Sequence, residues 1–245
     1  MTARRWQRPT GFALALTLFG IAVFMVLGLW QLDRAAQKER LLAAFRGASE
    51  TAPADFNSVH DTTDLQHYPH VRVVGYFLAD RGYLLDEQMH DGRLGVHAIG
   101  VVAVVGEDRL LLVDRGWIAW NHAPGTTPAL PRLPESEMAL TGIYAPFPGG
   151  GLRVGGNALL SQATWPKLTL YLDAEPIAAD LGKPLLPRML LLDAAPDSGF
   201  ARAWTPNVMP PERHRAYAFQ WFAFVVVALA IFIGKHWRKV DNATK

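Results

Sequence analysis

The 245-residue sequence contains no cysteine. This absence excludes structural disulfides, thiolate metal sites, cysteine nucleophiles and haem attached covalently through a C-x-x-C-H motif. The chain also has little net charge: the formal value is +2, and no basic stripe with interleaved aromatic residues is present. We therefore expect no nucleic-acid partner.

Catalytic motifs are missing as well. The sequence has no G-x-S-x-G, H-E-x-x-H, P-loop or kinase pattern. The run GGGLRVGG at 149–156 does not follow a clear strand and open a helix, so we interpret it as a loop and not as a phosphate cradle. Acidic residues are scattered, without an evident acid–base pair. The sequence therefore predicts a protein that is not an enzyme.

Two long apolar runs stand out against this background. Gly11–Trp30 carries no charged residue, and the run over 216–234 contains one amide, Gln220, and no charge. A helix needs about 20 apolar residues to cross roughly 30 Å of hydrocarbon. The first run follows arginines, but it is longer than a signal-peptide core and no A-x-A-like site follows it. We predict a membrane protein with two transmembrane helices, the first an uncleaved anchor in the lipid bilayer.

These runs divide the chain into a tail over 1–10, a helix over 11–31, a domain over 32–213, a helix over 214–234 and a tail over 235–245. Basic residues near the ends of the first helix favour cytoplasmic termini. The central domain is then periplasmic. No long Arg- and Ser-rich presequence precedes the anchor, which favours a bacterial inner (plasma) membrane.

The first helix is expected to continue past the bilayer. The segment WQLDRAAQKERLLAAFRGA is rich in helix formers and reaches a plausible stop at Gly47. One face at the start of this continuation carries Trp30, Gln31, Arg34 and Lys38. That face is either an interfacial tryptophan with snorkelling cations or a functional surface.

The central domain is predicted to be small, mostly antiparallel β (α+β) and extracytoplasmic. Turn residues at 80–82 and 106–108 separate neighbouring strands, and the apolar run at 94–105 indicates a central strand covered on both faces. A short helix is expected at 173–182. The predicted strands are 71–77, 82–87, 94–105, 109–120, 138–145 and 187–195.

Most histidines have simple interpretations. His60, His67 and His70 lie in the polar connector HDTTDLQHYPH, where two imidazoles could share a metal, but no third ligand is in obvious register. We therefore favour a solvated loop for this segment. The other histidines of the central domain are interpreted as strand or turn residues: His90, His97 and His122.

His214 differs because it stands where the second apolar helix begins. A helix starting near Pro211 places His214, Tyr217, Ala218, Trp221 and Val225 on one face. One alternative is an interfacial histidine that meets headgroups and water. The other is a ligand-holding group, since polar groups at the edge of a span are often functional and imidazole is an axial ligand of haem iron. Porphyrin propionates would need cations, for which the candidates are Arg34, Arg213 and Arg215.

Four motifs in order carry a family resemblance: LGLWQLDR (27–34), VRVVGYF (71–77), LVDRGWI (112–118) and RHRAYAFQWF (213–222). With two flanking spans, the chain resembles the Surfeit locus protein 1 family of cytochrome c oxidase assembly factors over nearly its whole length. It departs from many relatives at Glu212-Arg213, at Asp114 and at Gln37.

The resemblance implies a role in maturing oxidase subunit I and binding of haem a, with His214 as the iron ligand and the only metal-binding residue. With it we group six neighbours as cofactor-binding candidates: Tyr217, Gln220, Trp221, Trp30, Gln31 and Arg34. The Arg115-Gly116-Trp117 element is a partner-binding candidate if it is exposed, and otherwise a packed turn with a buried tryptophan.

Three functions follow as expectations. The first is a chaperone for respiratory-chain biogenesis that binds haem a transiently and delivers it to subunit I. The second is a haem-independent scaffold for an oxidase assembly intermediate. The third is a membrane-tethered enzyme. A carboxylate–histidine or serine–histidine pair in a cleft would support this function.

Overall fold

The computed structural model describes residues 3–64, 67–122, 126–134, 136–148, 159–206 and 208–240, with side chains except at 3–5 and 238–240. The chain forms two compact units. We call Met1–Leu41 with Val208–Lys245 the helical unit, and Leu42–Asn207 the β domain.

Three α-helices and nine strands make up the described chain. The helices are α1 (Gly11–Ala48), α2 (Ala174–Leu181) and α3 (Pro211–His236). The strands are β1 (Ala3–Trp6), β2 (Ala54–Asp55), β3 (His70–His90), β4 (Arg93–Val104), β5 (Leu110–Ala119), β6 (Met138–Pro146), β7 (Lys167–Thr169), β8 (Arg188–Leu192) and β9 (Trp237–Val240). Short 3₁₀ turns occur at Phe56–Ser58, Leu159–Ser161 and Pro196–Ser198.

The two long helices, α1 and α3, have the length and apolar composition needed to cross a membrane. Within the helical unit they run antiparallel, because Phe24 stacks on Trp221 while Gln31 contacts His214. Strands β1 and β9 pair antiparallel and join the two ends of this unit. The prediction that the first helix continues beyond its apolar run is confirmed, since α1 ends at Ala48.

The β domain is built on one seven-stranded mixed sheet. Successive pairings run β3–β4–β5–β8–β6, and β6 pairs back with β3, so these five strands close into a ring. Among the described strands of this sheet, β2–β3, β3–β7 and β5–β8 are parallel and the remaining pairings are antiparallel. The expected β-rich domain between two apolar helices is therefore present, although its sheet is more mixed than predicted.

The predicted turn at 80–82 is wrong. Strand β3 runs without a break from His70 to His90. Between Phe77 and Gly82 it advances five residues while β4 advances two, from Val102 to Gly100, so the extra residues form a bulge. Glycine and charged residues suit a bulge as well as a turn, and a bulge lets one strand bend. Strand β3 pairs with β6 from His70 to Gly75 and with β4 from Gly75 to His90.

The other sequence predictions for this domain largely hold. Gly106 has φ +81° in the connection between β4 and β5, and Gly182 with φ +66° ends α2. Strand β4 is buried on both faces over 98–102, as a central strand requires. The main core cluster contains Phe56, Val71, Val73, Phe77, Val102, Val104, Leu111, Val113, Leu140, Tyr144, Leu186 and Leu190.

Candidate functional site

The helical unit brings together two of the predicted site residues, His214 and Gln31, which are 183 positions apart in sequence. His214 lies in the first turn of α3 and is buried. Its Nδ1 atom is 2.7 Å from Oε1 of Gln31. Because the amide oxygen can only accept, Nδ1 carries the proton and donates it to Gln31. The contact fixes both the tautomer and the orientation of the ring.

The opposite nitrogen of the same ring has no partner. His214 Nε2 is enclosed, and no hydrogen bond reaches it from the part of the chain that the structure describes. In this tautomer Nε2 holds a lone pair, and a buried lone pair without a donor is energetically costly. An imidazole with one nitrogen held by a hydrogen bond and the other open is the usual form of a metal-ligating or haem-ligating histidine. No cluster of three or more metal-ligating side chains is found in the described residues.

The remaining candidates on α1 lie outside this contact. The Arg34 guanidinium sits 5.4 Å from the ring centroid of Trp30, and both side chains are exposed. Arg34 also donates to Oε1 of Gln37 at 2.9 Å. This arrangement fits the interfacial tryptophan with its cation, and it also leaves a cation available for an anionic ligand group.

The remaining candidates on α3 are distributed over different faces. Ala218 is buried with His214, as the helical spacing predicts, whereas Tyr217 and Gln220 are exposed. Trp221 is half-buried and stacks on Phe24 at 5.9 Å between ring centroids. Of the seven cofactor-binding candidates, the structure therefore joins His214 and Gln31 directly, with Trp221 in the packed seam between the helices.

Gly28 explains how the helices approach so closely. A Cβ atom at this position would lie 2.4 Å from Cε1 of Phe222, so only glycine leaves the ring its space. Gly28 lies in LGLWQLDR (27–34), one of the four motifs that carry the family resemblance. Farther along, Arg215 forms an ion pair with Glu39 between the same two helices. The crossing thus holds Gln31 and His214 in register.

The Arg115-Gly116-Trp117 element belongs to strand β5 and is buried. Arg115 donates to the carbonyl of Pro131 at 2.5 Å, and Trp117 Nε1 donates to the carbonyl of Gln88 at 3.0 Å. Burial lowers the pKa of Arg115 to about 10, and the nearby charge of Arg202 adds to this effect. The segment corresponds to the packed alternative, and its side chains are not displayed on the surface as a partner contact would require.

No group of three or more potential metal ligands is found at the histidines of the connector among the described residues. His70 is buried, with Nε2 2.9 Å from Asp193 Oδ2 and Nδ1 2.7 Å from the carbonyl of Thr51. Burial opposes its charge, but the Asp193 carboxylate and the Thr51 carbonyl outweigh burial, and the pKa of His70 is raised. The solvated-loop interpretation is therefore wrong for His70, which is part of the packed domain.

A cavity of about 460 Å³ lies in the β domain, beside the strands that carry two imidazole–carboxylate pairs. Its wall includes His97, Asp114, Asp193 and Arg202 as polar groups. We call it the β-domain cavity. Sequence reasoning missed it, because its residues come from six separate segments and none forms a recognisable motif.

One of the two imidazole–carboxylate pairs, His97 with Asp114, is the kind of pair that would support an enzyme. His97 Nδ1 is 2.8 Å from Asp114 Oδ2, and the other carboxylate oxygen of Asp114 accepts from the backbone of Gly116 at 2.8 Å. A buried carboxylate that orients an imidazole is half of a catalytic arrangement. Among the described residues, however, no hydroxyl makes a hydrogen bond with His97 Nε2. The glycine-rich run at 149–156 lies outside the described residues.

Comparisons with known proteins agree with the family resemblance. The model of the SURF1 family matches residues 18–226. A SURF1-like protein of Monosiga brevicollis is 26% identical over 223 residues, covering 84% of this chain and 81% of the relative. A SURF1-like protein of Rickettsia bellii is 24% identical over 221 residues, covering 88% and 87%. The chain therefore belongs to the SURF1 family, which is known broadly as a family of oxidase assembly factors.

Proposed function

We propose that this protein is a non-enzymatic, membrane-anchored chaperone that holds haem a through His214 and delivers it to subunit I of cytochrome c oxidase. The observation that carries the proposal is the enclosed, unpartnered Nε2 atom of His214. Nδ1 of the same ring is already committed to Gln31. The free lone pair therefore has one defined direction in which to meet an iron atom.

The helical unit also offers surface that suits an apolar cargo. Haem a carries a long hydrocarbon tail, so a carrier gains by holding it at or within the bilayer. Phe24, Trp221 and Phe224 provide aromatic surface in the seam between α1 and α3. Arg34 is an exposed cation that could meet a propionate. Two helices cover only part of a porphyrin, and a recipient that completes the site can also take the cargo away.

The experiment is an optical spectrum of the full-length protein purified from cells that make haem a. We expect the wild type to carry the pigment and His214→Ala to lose it or to show a shifted Soret band. His236→Ala is the matched control, since this histidine lies on the same helix and bonds within it, to the carbonyl of Phe232. An unchanged spectrum and haem content in His214→Ala would remove the assigned ligand.

The haem-independent scaffold remains the alternative function. It predicts no pigment on the wild-type protein and co-purification with subunit I that survives His214→Ala. The carrier predicts pigment on the wild type, and it predicts that haem insertion into subunit I fails in the variant even where the two proteins still associate. Haem content of subunit I, measured in the variant strain, separates the two.

We also propose that the helical unit sits in a bacterial inner membrane with both termini in the cytoplasm and the β domain in the periplasm. The antiparallel pairing of β1 with β9 supports termini on the same side. The three arginines among the first eight residues favour the cytoplasm for that side. Alkaline phosphatase fused after Lys245 should be inactive, and a green fluorescent protein fused there should fluoresce. The opposite pattern would reverse the orientation.

A further inference from the structure

The β-domain cavity contains a half-buried arginine without an acidic partner. Arg202 donates from Nε to the carbonyl of Arg115 at 2.8 Å and from Nη1 to the carbonyl of Asp193 at 2.7 Å. No carboxylate forms an ion pair with it among the described residues. Burial lowers the pKa of Arg202, while the charges of Asp114 and Asp193 partly counter that effect. A half-buried cation whose Nε and Nη1 bond to neutral carbonyls has its Nη2 group open to an anion.

The cavity wall also contains a hydrogen-bond acceptor without a partner, Nε2 of His97. His97 lines the same cavity, and its Nδ1 is committed to Asp114 at 2.8 Å. In the neutral ring Nε2 is then an acceptor, and it makes no hydrogen bond with any described residue. The Asp193 carboxylate on the same wall is held by His70 at 2.9 Å, and the raised pKa of His70 favours the cation that balances it.

Apart from Ser49, the remaining side chains of the cavity wall are apolar or aromatic. Phe45 and Trp204 pack together at 5.4 Å between ring centroids, and both line the cavity with Ile143 and Leu192. A volume of about 460 Å³ is within the range of small-molecule sites, which combine apolar walls with a few converging polar groups. The ligand that satisfies these groups needs an anionic end, a hydrogen-bond donor and an apolar body.

We propose that the β-domain cavity binds an apolar hydroxy acid, with its carboxylate on Arg202, its hydroxyl on His97 Nε2 and its hydrocarbon body against Phe45 and Trp204. The site lies within the β domain and does not depend on haem binding by the helical unit. It assigns a role to Arg202 and His97 that neither the family motifs nor the proposed carrier function requires.

The test is a ¹⁹F NMR titration of the full-length protein in detergent with 4-(trifluoromethyl)mandelate, an aromatic α-hydroxy acid, using protein-free micelles as the blank. Two further probes are its neutral methyl ester and 4-(trifluoromethyl)phenylacetate, which lacks the hydroxyl. We expect saturable binding of the hydroxy acid and binding of the ester weaker by about tenfold or more, because a charge-assisted bond is lost. Loss of the hydroxyl should weaken binding by roughly fivefold in the wild type and not at all in His97→Ala.

Two protein variants locate the site. Arg202→Met should weaken binding of the hydroxy acid by about tenfold or more, while Arg72→Met, an exposed arginine on β3, should not change it. Should Arg202→Met fail to fold, Ala194→Trp keeps the guanidinium and fills the cavity from an exposed position on its wall. Equal affinity for acid and ester, no saturable binding by the wild type, or wild-type binding by folded Arg202→Met or Ala194→Trp would overturn the proposal.

Discussion

Replacing Gln31 with leucine tests how His214 is prepared for its ligand. The change removes the only hydrogen-bond acceptor that the described structure offers to His214 Nδ1, at 2.7 Å, and keeps a side chain of similar size. The ring then has an unsatisfied N–H on one side and an open lone pair on the other. It can turn, or move its proton to Nε2, and both changes remove the lone pair from its present position.

The magnitude follows from the bond that is lost. Leaving a buried donor unpaired costs about 1–3 kcal/mol, and 1.4 kcal/mol corresponds to a factor of ten in affinity. Removal of groups that orient metal-ligating histidines typically weakens metal binding by about 10- to 100-fold. We therefore expect Gln31→Leu to weaken haem binding by about 10- to 100-fold while His214 itself is retained.

The assay is a spectrophotometric haem titration of the purified protein, with thermal unfolding measured on the same samples. Gln31→Glu keeps an acceptor oxygen and should retain most of the affinity. Gln37→Leu is the control, because this amide on α1 bonds to Asp33 and Arg34 and does not touch His214. If Gln31→Leu binds haem with wild-type affinity and an unchanged Soret band, the amide does not position the imidazole. If the wild type binds no haem, the carrier function itself fails.

Three further predictions concern packing and pH. Gly28→Leu should lower helical-unit stability by about 1–3 kcal/mol through overpacking, measured by thermal unfolding, while Gly20→Leu, with open space at its Cβ position, should not. Lys167→Met should lower the free energy of unfolding of the β domain, measured in urea, by about 3–5 kcal/mol, because it removes the cation of a buried ion pair with Asp180 at 2.5 Å. The double variant Lys167→Met with Asp180→Asn should regain part of this loss, because it also removes the buried carboxylate. Because the pKa of His70 is raised on folding, its contribution to stability is complete below about pH 6.5 and is lost as pH rises through the raised value. Urea midpoints measured across that range should show this decline in the wild type and not in His70→Gln.

The elements that the sequence predicts well are those whose structure is determined by a few neighbouring residues. The connection at 106–108 contains glycine and acidic residues between two apolar runs, and it links β4 to β5 as a hairpin should. The short helix at 173–182 is found as α2, which ends before a left-handed Gly182. In both cases a few adjacent residues determine the backbone.

The parts that sequence reasoning missed depend on distant partners. The closure of the ring by β3 and β6 and the parallel pairing of β5 with β8 join segments far apart in the chain. The residues at 80–82 also show that turn-forming composition does not distinguish a turn from a bulge. That choice depends on whether a neighbouring strand continues to pair on the far side, and β4 does so at Gly100.

The candidate site divides in the same way. Its position at the start of α3 is visible in sequence, because a polar residue stands at the edge of an apolar run. Its partner is not visible, since Gln31 is 183 residues away and meets His214 only when the helices cross. The exposure of Tyr217 and Gln220 is likewise set by packing, which helical spacing alone does not fix.

The kind of partner that each histidine has bears on its use. In the β domain His70, His97 and His122 each contact a carboxylate, at 2.9, 2.8 and 2.6 Å respectively. An acceptor on one ring nitrogen, whether a carboxylate or an amide, orients the imidazole for a ligand on the other nitrogen. His214 instead contacts a neutral amide, which fixes the tautomer without adding a charge at the edge of an apolar helix, where an ionised group is costly. His214 is thus oriented through Nδ1 by a neutral amide, while its enclosed Nε2 has no partner among the described residues, and this combination distinguishes it from the carboxylate-paired histidines of the β domain.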